Sequence, residues 1–148
     1  MLKESLIFVY ERDLQKVIEE IRLYKNEADL WHLEHGITNS GGNLALHLIG
    51  NINHFFGAIL GGSDYKRERD LEFSQKEISQ SEIIEKLKLS IDMLKKSLDN
   101  LSDEDFNADF PQEFSGETHK TIFVVLYMLS HLNNHLGQIN YHRRLLSK

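Results

Sequence analysis

Apolar side chains recur every three or four residues along most of this chain, which is the spacing of an α-helix. In residues 2–26 the apolar positions form one face and charged side chains occupy the opposite face. In residues 80–100 the apolar positions follow steps of three and four, and residues 43–60 and 118–146 show the same helical period. No segment reads as a convincing strand, with strict alternation of apolar and polar residues. The pattern therefore predicts four helices over these four ranges.

Residues at the ends of these segments support the predicted bounds. Ser40 or Asn39 is placed to cap the second helix, and the pair Gly61–Gly62 ends it. Ser79, followed three residues later by Glu82, fits the capping box that opens a helix. The second and third helices are therefore bounded by recognisable signals as well as by their period.

The connections between the helices predict how they are arranged. The segment GGSDYKRERDLEFSQKEIS, residues 61–79, is dense in charge, and its length suits a crossover rather than a tight turn. Residues 102–117 contain the only proline and predict an irregular loop with a short turn at Ser102. No internal repeat or domain boundary is visible in the 148 residues. The sequence therefore predicts an all-α fold, a four-helix bundle with one long crossover connection, as a single domain over residues 1–148.

Charge is distributed unevenly among these helices. The chain is 27% charged, yet residues 36–63 contain no Asp, Glu, Lys or Arg, and neither do residues 121–142 of the fourth helix. A helix without a charged face is usually covered on most sides. Two interpretations follow: these helices lie centrally in the bundle, or they form part of a homodimer interface. The second interpretation would use uncharged outer positions such as Leu46, Phe123 and Leu126.

Composition excludes several classes of function and leaves one anomaly. The absence of cysteine excludes disulfides and cysteine-based zinc or nucleophile chemistry. A net charge of −6 without a basic cluster argues against nucleic acid as a partner. No apolar run approaches the ~20 residues of a membrane span, and no signal peptide is visible, so we expect a cytoplasmic protein. The anomaly is the presence of eight histidines spread along the chain.

Histidines on the second and fourth helices form polar stripes beside apolar faces. His131 and His135 are spaced i, i+4, so their rings share one helix face at about 5–6 Å between Cβ atoms and can converge on one cation. A third ligand would come from the second helix, where His47 is the best candidate and His54 is the rival. A carboxylate ligand from residues 64–70 or 113–117 stays open, as does a purely structural role for the stripes.

Two segments resemble the DinB family of metal-binding four-helix proteins. They are NSGGNLALHLIGNINHFFGAILGG, residues 39–62, and LSHLNNHLGQINYHRRLL, residues 129–146. The resemblance implies a DinB-like four-helix domain in which His47, His131 and His135 ligate a divalent metal, often zinc or nickel. It also implies a homodimer. Some relatives in that family are transferases or isomerases that use a low-molecular-weight thiol such as bacillithiol or mycothiol.

A working hypothesis for the chemistry follows from this ligand set. Asn51 and Gln138 lie one turn beyond His47 and His135, and together with His54 they are candidates to orient ligands or substrate. Three neutral imidazoles and no carboxylate would leave the full charge of the metal and open positions for water or substrate. Because the chain has no cysteine, a thiolate must come from a cosubstrate.

The leading hypothesis is a metal-dependent transferase that joins a low-molecular-weight thiol to an electrophilic small molecule. Two alternatives remain: a metal-binding or ligand-binding stress protein without turnover, and a helical homodimer whose histidines are structural. The sequence alone leaves open whether the protein is an enzyme.

Overall fold

Helices account for most of the computed structural model, which describes residues 1–147. Within those residues the α-helices are α1 (Leu2–Arg22), α2 (Gly41–Ile52), α3 (Arg69–Ser74), α4 (Gln80–Asp99), α5 (Asp103–Asn107) and α6 (Thr121–Leu146). A 3-10 helix, Glu27–Trp31, follows α1, and α2 continues as a π-helix over Asn53–Leu60. The described residues contain no strand, only two isolated β-bridges. The predicted all-α fold is confirmed.

The helix ends agree with the predicted signals where a capping side chain is present. The Ser40 hydroxyl accepts a hydrogen bond from the backbone N–H of Asn43 and caps α2. The Ser79 hydroxyl accepts one from the backbone N–H of Glu82 and caps α4. The predicted turn at Ser102 is the capped start of the short helix α5. By contrast, α1 ends four residues earlier than predicted, because the chain turns there toward the 3-10 helix.

Four long helices form the bundle, and their directions require a crossover. Both α1 and α2 pack against α4 and α6. The α2 segment and its π-helical extension run parallel to α4, since Asn53 donates to Ser90 and Gly57 lies against Met93 one turn further along both helices. Two consecutive long helices that run the same way need a connection spanning the length of the bundle. Residues 61–79 make that connection, so the predicted crossover is confirmed.

The crossover carries α3, which the sequence pattern did not predict, and it covers α2. Every residue of α2 is buried. Leu46, expected on an open outer face, is only 7% exposed, and it lies beside Tyr65 and Glu72 of the crossover. That expectation was therefore wrong. The absence of charge on α2 follows from its central position between α4, α6 and the crossover.

Polar side chains of α2 hold the crossover in place. The amide nitrogen of Asn43 donates to the backbone oxygens of Glu72, at 3.0 Å, and Gln75, at 2.8 Å. The ammonium of Lys76 donates to the amide oxygen of Asn43 at 2.6 Å. Buried polar groups need such partners, because an unsatisfied group costs about 1–3 kcal/mol. The Asn43 side chain therefore serves the fold rather than a ligand.

The apolar core fills the axis of the bundle. Leu14, Leu48, Leu94 and Leu132 come from α1, α2, α4 and α6 and are almost fully buried. Removing this apolar surface from water stabilises the bundle by about 25 cal/mol per Å². Among the described residues, no helix is both long enough and apolar enough to cross a membrane.

Candidate metal centre

Three histidines converge between α2 and α6. The Nε2 atoms of His47 and His131 lie 3.2 Å apart, and those of His131 and His135 lie 3.1 Å apart. The i, i+4 spacing brings His131 and His135 together on one face of α6. The packing of α2 against α6 places His47 opposite them. The three rings are therefore close enough to hold one metal ion.

The spacing of the nitrogens fits a single coordinated cation. A tetrahedral zinc ion with Zn–N bonds of about 2.0–2.1 Å holds its ligand nitrogens about 3.3–3.4 Å apart. Imidazole nitrogens at the observed distances of 3.1 and 3.2 Å need a proton or a cation between them, because their lone pairs repel. The donor set is also chemically suitable, since neutral imidazole is a good ligand for zinc and nickel.

The environment keeps two of these rings neutral. Burial, together with the charges of the nearby His135 and His47 rings when they are protonated, lowers the pKa of His131 to about 4. Burial also lowers the pKa of His135, although a hydrogen bond to Gln138 opposes the shift. A metal ligand must be unprotonated, so both rings are ready to bind a cation at neutral pH.

A buried carboxylate from α3 lies behind His47. Oε1 of Glu72 accepts a hydrogen bond from Nδ1 of His47 at 3.0 Å, and both side chains are less than 10% exposed. The guanidinium of Arg67 donates to both oxygens of Glu72, at 2.9 Å each. Burial alone would raise the pKa of Glu72, but the hydrogen bonds from His47 and Arg67 outweigh it and leave the pKa below its usual value. An ionised carboxylate therefore contacts the ring nitrogen that faces away from the centre.

The other two rings differ in what holds their Nδ1 atoms. Nδ1 of His135 lies 2.6 Å from the amide oxygen of Gln138, one of the residues expected to orient a ligand. Nδ1 of His131 is buried and has no hydrogen-bond partner among the described residues. Gln138 thus contacts a ring of the centre, as its position on the helix suggested.

The remaining predicted residues do not reach the centre. Asn51 is buried but makes no hydrogen bond to the three rings within residues 1–147. His54 packs edge-on against Phe55, with ring centroids 5.0 Å apart, and does not belong to the group of three. It lies in the π-helix that begins at Asn53, where the turn is wider than in an α-helix and the faces shift. The structure therefore places His47, and not His54, opposite His131 and His135.

A family model described as "Protein of unknown function (DUF1572)" matches residues 5–148 of this chain. The chain belongs to the DUF1572 family. A comparison with curated proteins found no match. The matched segment contains α2, the crossover and α6, so every residue of the centre lies within the family region.

A cavity of about 440 Å³ adjoins the centre of this DUF1572 protein. It lies between residues 34–39 and the last turns of α6, and its lining includes His135 and Gln138. Part of its wall is held by His142, whose Nδ1 faces the Tyr24 hydroxyl at 2.6 Å and whose Nε2 faces the backbone oxygen of His32 at 2.7 Å. A small molecule in this cavity would contact the same ring that faces the centre.

Sequence reasoning missed Glu72 and Arg67. A carboxylate metal ligand was considered for residues 64–70, and Glu72 lies two residues beyond that range. It also contacts His47 rather than the point that the three rings share. In a stretch as charged as residues 66–72, no local pattern separates a buried carboxylate from its solvated neighbours. The only available signal was the pair of apolar residues, Leu71 and Phe73, that flank Glu72.

Proposed function

We propose that this protein binds one divalent metal ion, zinc or nickel, through His47, His131 and His135. The observation that supports the proposal is the approach of their Nε2 atoms, with neighbouring pairs at 3.1 and 3.2 Å. The resemblance to the DinB family supports the same ligands, since that family carries one histidine on its second helix and an HxxxH pair on its fourth.

We further propose that the metal-loaded protein joins a low-molecular-weight thiol to an electrophilic small molecule. A carbon–sulfur bond would form, the thiol proton would pass to solvent, and with a halogenated acceptor the carbon–halogen bond would break and halide would leave with its electron pair. A divalent ion held by the three histidines would supply positive charge that stabilises a thiol as its thiolate. The chain contributes neutral rings, so that charge is not compensated by its ligands, and three ligands leave a position open. Because the chain has no cysteine, the thiolate belongs to a cosubstrate. The adjoining cavity of about 440 Å³ offers room for the second substrate.

Elemental analysis of untagged protein after loading with zinc or nickel tests the metal site. We expect one ion per chain, and sharply lower occupancy after His47→Ala, His131→Ala or His135→Ala, since two rings chelate more weakly than three. The controls are His54→Ala and His119→Ala, which leave the three rings intact and should keep full occupancy. Metal-free wild-type protein after loading, or full occupancy in all three ligand variants, would reject the site.

The transferase step needs a separate assay. Loaded wild-type protein is incubated with a small thiol and an electrophile such as a halogenated aromatic, and product is followed by mass spectrometry. We expect product formation above the rate with His131→Ala protein at equal concentration. Equal rates across several thiols, in protein that holds its metal, would reject the transferase and leave a metal-binding protein without turnover.

A further inference from the structure

We propose that Glu72 is a positioning residue of the metal centre and acts through His47. The inference rests on the proposed metal site, but it concerns an interaction within the chain that can be measured without metal. No local sequence pattern marks Glu72, Arg67 or Gly50 as part of a site. The structure joins the three around one carboxylate.

The contact with Glu72 determines the tautomer of His47. A neutral imidazole carries its proton on one of its two nitrogens, and a carboxylate beside one nitrogen holds the proton there and leaves the lone pair on the other. Oε1 of Glu72 accepts a hydrogen bond from Nδ1 of His47, with the two atoms 3.0 Å apart, so the proton of His47 lies on Nδ1. Nε2 then carries the lone pair, and this is the atom that faces His131 at 3.2 Å. Glu72 therefore keeps Nε2 of His47 unprotonated, as a metal ligand must be.

Contacts from Arg67 and Asn43 immobilise Glu72. Arg67 donates from Nε and Nη2 to the two oxygens of Glu72, which is the paired geometry of a strong charge-assisted contact. On the backbone side, Asn43 donates to the carbonyl oxygen of Glu72. Asn43 lies one turn before His47 on the same helix. The side chain and the backbone of Glu72 are thus both held, and its carboxylate cannot swing freely toward the point that the rings share.

Gly50 leaves the space that the carboxylate of Glu72 occupies. A Cβ added at Gly50 would lie 1.8 Å from Oε2 of Glu72 and 2.4 Å from its Cδ. Asn43, His47 and Gly50 are spaced i, i+4, i+7 and share one face of α2. One face of α2 therefore holds the backbone of Glu72 through Asn43, carries the proposed ligand His47 and leaves space for the carboxylate at Gly50. A glycine inside a helix is normally unfavourable relative to alanine, and here the close approach of Glu72 accounts for it.

Metal affinity, measured by competition with a chromogenic chelator, tests the proposal directly. We expect Glu72→Ala to weaken affinity about 10–100-fold, the usual effect of removing a group that orients a ligating histidine. Glu72→Gln keeps an acceptor oxygen and should lose less. Glu68→Gln, on the exposed end of the same segment, is the matched control and should change nothing. Wild-type affinity in Glu72→Ala would overturn the proposal.

Nitrogen-15 NMR of the imidazole rings separates this inference from the metal site itself. In metal-free wild-type protein we expect His47 to show the tautomer protonated on Nδ1. In Glu72→Ala the ring should show a mixture, and Glu72→Gln should restore part of the wild-type signal. A pure Nδ1–H tautomer in Glu72→Ala would overturn the role of Glu72, whether or not the protein binds metal. A protein that binds no metal but shows the expected tautomers would reject only the metal site.

A pair of glycine variants tests the steric requirement without removing any polar group. Gly50→Ala should displace Glu72, give the mixed tautomer at His47 and weaken metal affinity at least about tenfold. Gly137→Ala, inside the other ligand-bearing helix, is the matched control because an added Cβ there meets nothing within 4 Å. It should leave tautomer and affinity unchanged. Equal behaviour of the two variants would contradict the proposal.

Discussion

At the scale of single residues, the histidines of this protein divide according to what their ring nitrogens contact. Those of the centre turn Nε2 toward one another, whereas both nitrogens of His142 meet oxygen atoms of the fold. His142 is buried and joins α6 to Tyr24 after α1 and to His32 after the 3-10 helix. A histidine next to the metal motif can thus be structural, and its contacts distinguish the two roles.

Replacing His142 should cost stability without changing metal stoichiometry. His142→Ala leaves the buried Tyr24 hydroxyl without its 2.6 Å partner, which costs about 1–3 kcal/mol of unfolding free energy. Urea denaturation of metal-free protein measures the loss, and elemental analysis measures the stoichiometry. His35→Ala, at an exposed position, should leave both values unchanged. Unaltered stability of His142→Ala would show that the contact contributes nothing.

The same residue predicts a pH dependence. Burial lowers the pKa of His142, while hydrogen bonding to His32 and the charges of Asp29 and Glu34 oppose the shift. Below about pH 6.5 the unfolded chain therefore binds a proton that the folded chain does not, and stability falls as pH falls. In metal-free protein, the stability difference between wild type and His142→Ala should shrink from pH 7.5 to pH 5. A difference that grows toward acid pH would mean that the folded state favours the charged ring.

At the scale of elements, the crossover acts as a structural part of α2. Asn43→Ala removes donors to two backbone oxygens and should loosen α3. We expect faster amide hydrogen exchange over residues 64–76 and about 1–3 kcal/mol less stability. Asn134→Ala, exposed on α6, is the control. Wild-type exchange rates in Asn43→Ala would show that other contacts hold the crossover.

At the scale of the whole molecule, α6 carries exposed apolar side chains in its first two turns. Phe123, Leu126 and Tyr127 are 45%, 50% and 49% exposed on a helix without charge from residue 121 to 142. We propose that this face, without the contribution of α2 expected from the sequence, forms a homodimer. Exposed apolar patches that lack charge commonly mark such contacts.

Light scattering tests the dimer. Wild-type protein should give twice the chain mass, and Leu126→Glu should shift it toward the monomer, because a charge in an apolar contact is costly. Leu89→Glu, which alters a leucine that is 67% exposed on α4, should leave the mass unchanged. A monomer mass for wild-type protein at high concentration would reject the proposal.

The sequence alone determined the features that depend on neighbours along the chain. Helical period, the caps at Ser40 and Ser79, and the shared face of His131 and His135 are all set within a few residues, so local pattern predicts them. The crossover was also predictable, because residues 61–79 are too many for a tight turn. Element type and approximate bounds followed from the same local physics.

Only the tertiary structure decided which groups meet across the bundle. His47 rather than His54 faces α6, because helical packing and the π-helical turn set the register of α2. Glu72 reaches His47 across 25 residues of chain, since Asn43 anchors the crossover and Gly50 leaves space for the carboxylate. Leu46 is covered by the same segment. These contacts depend on where a charged connection folds back, and charge pattern along a chain does not encode that position.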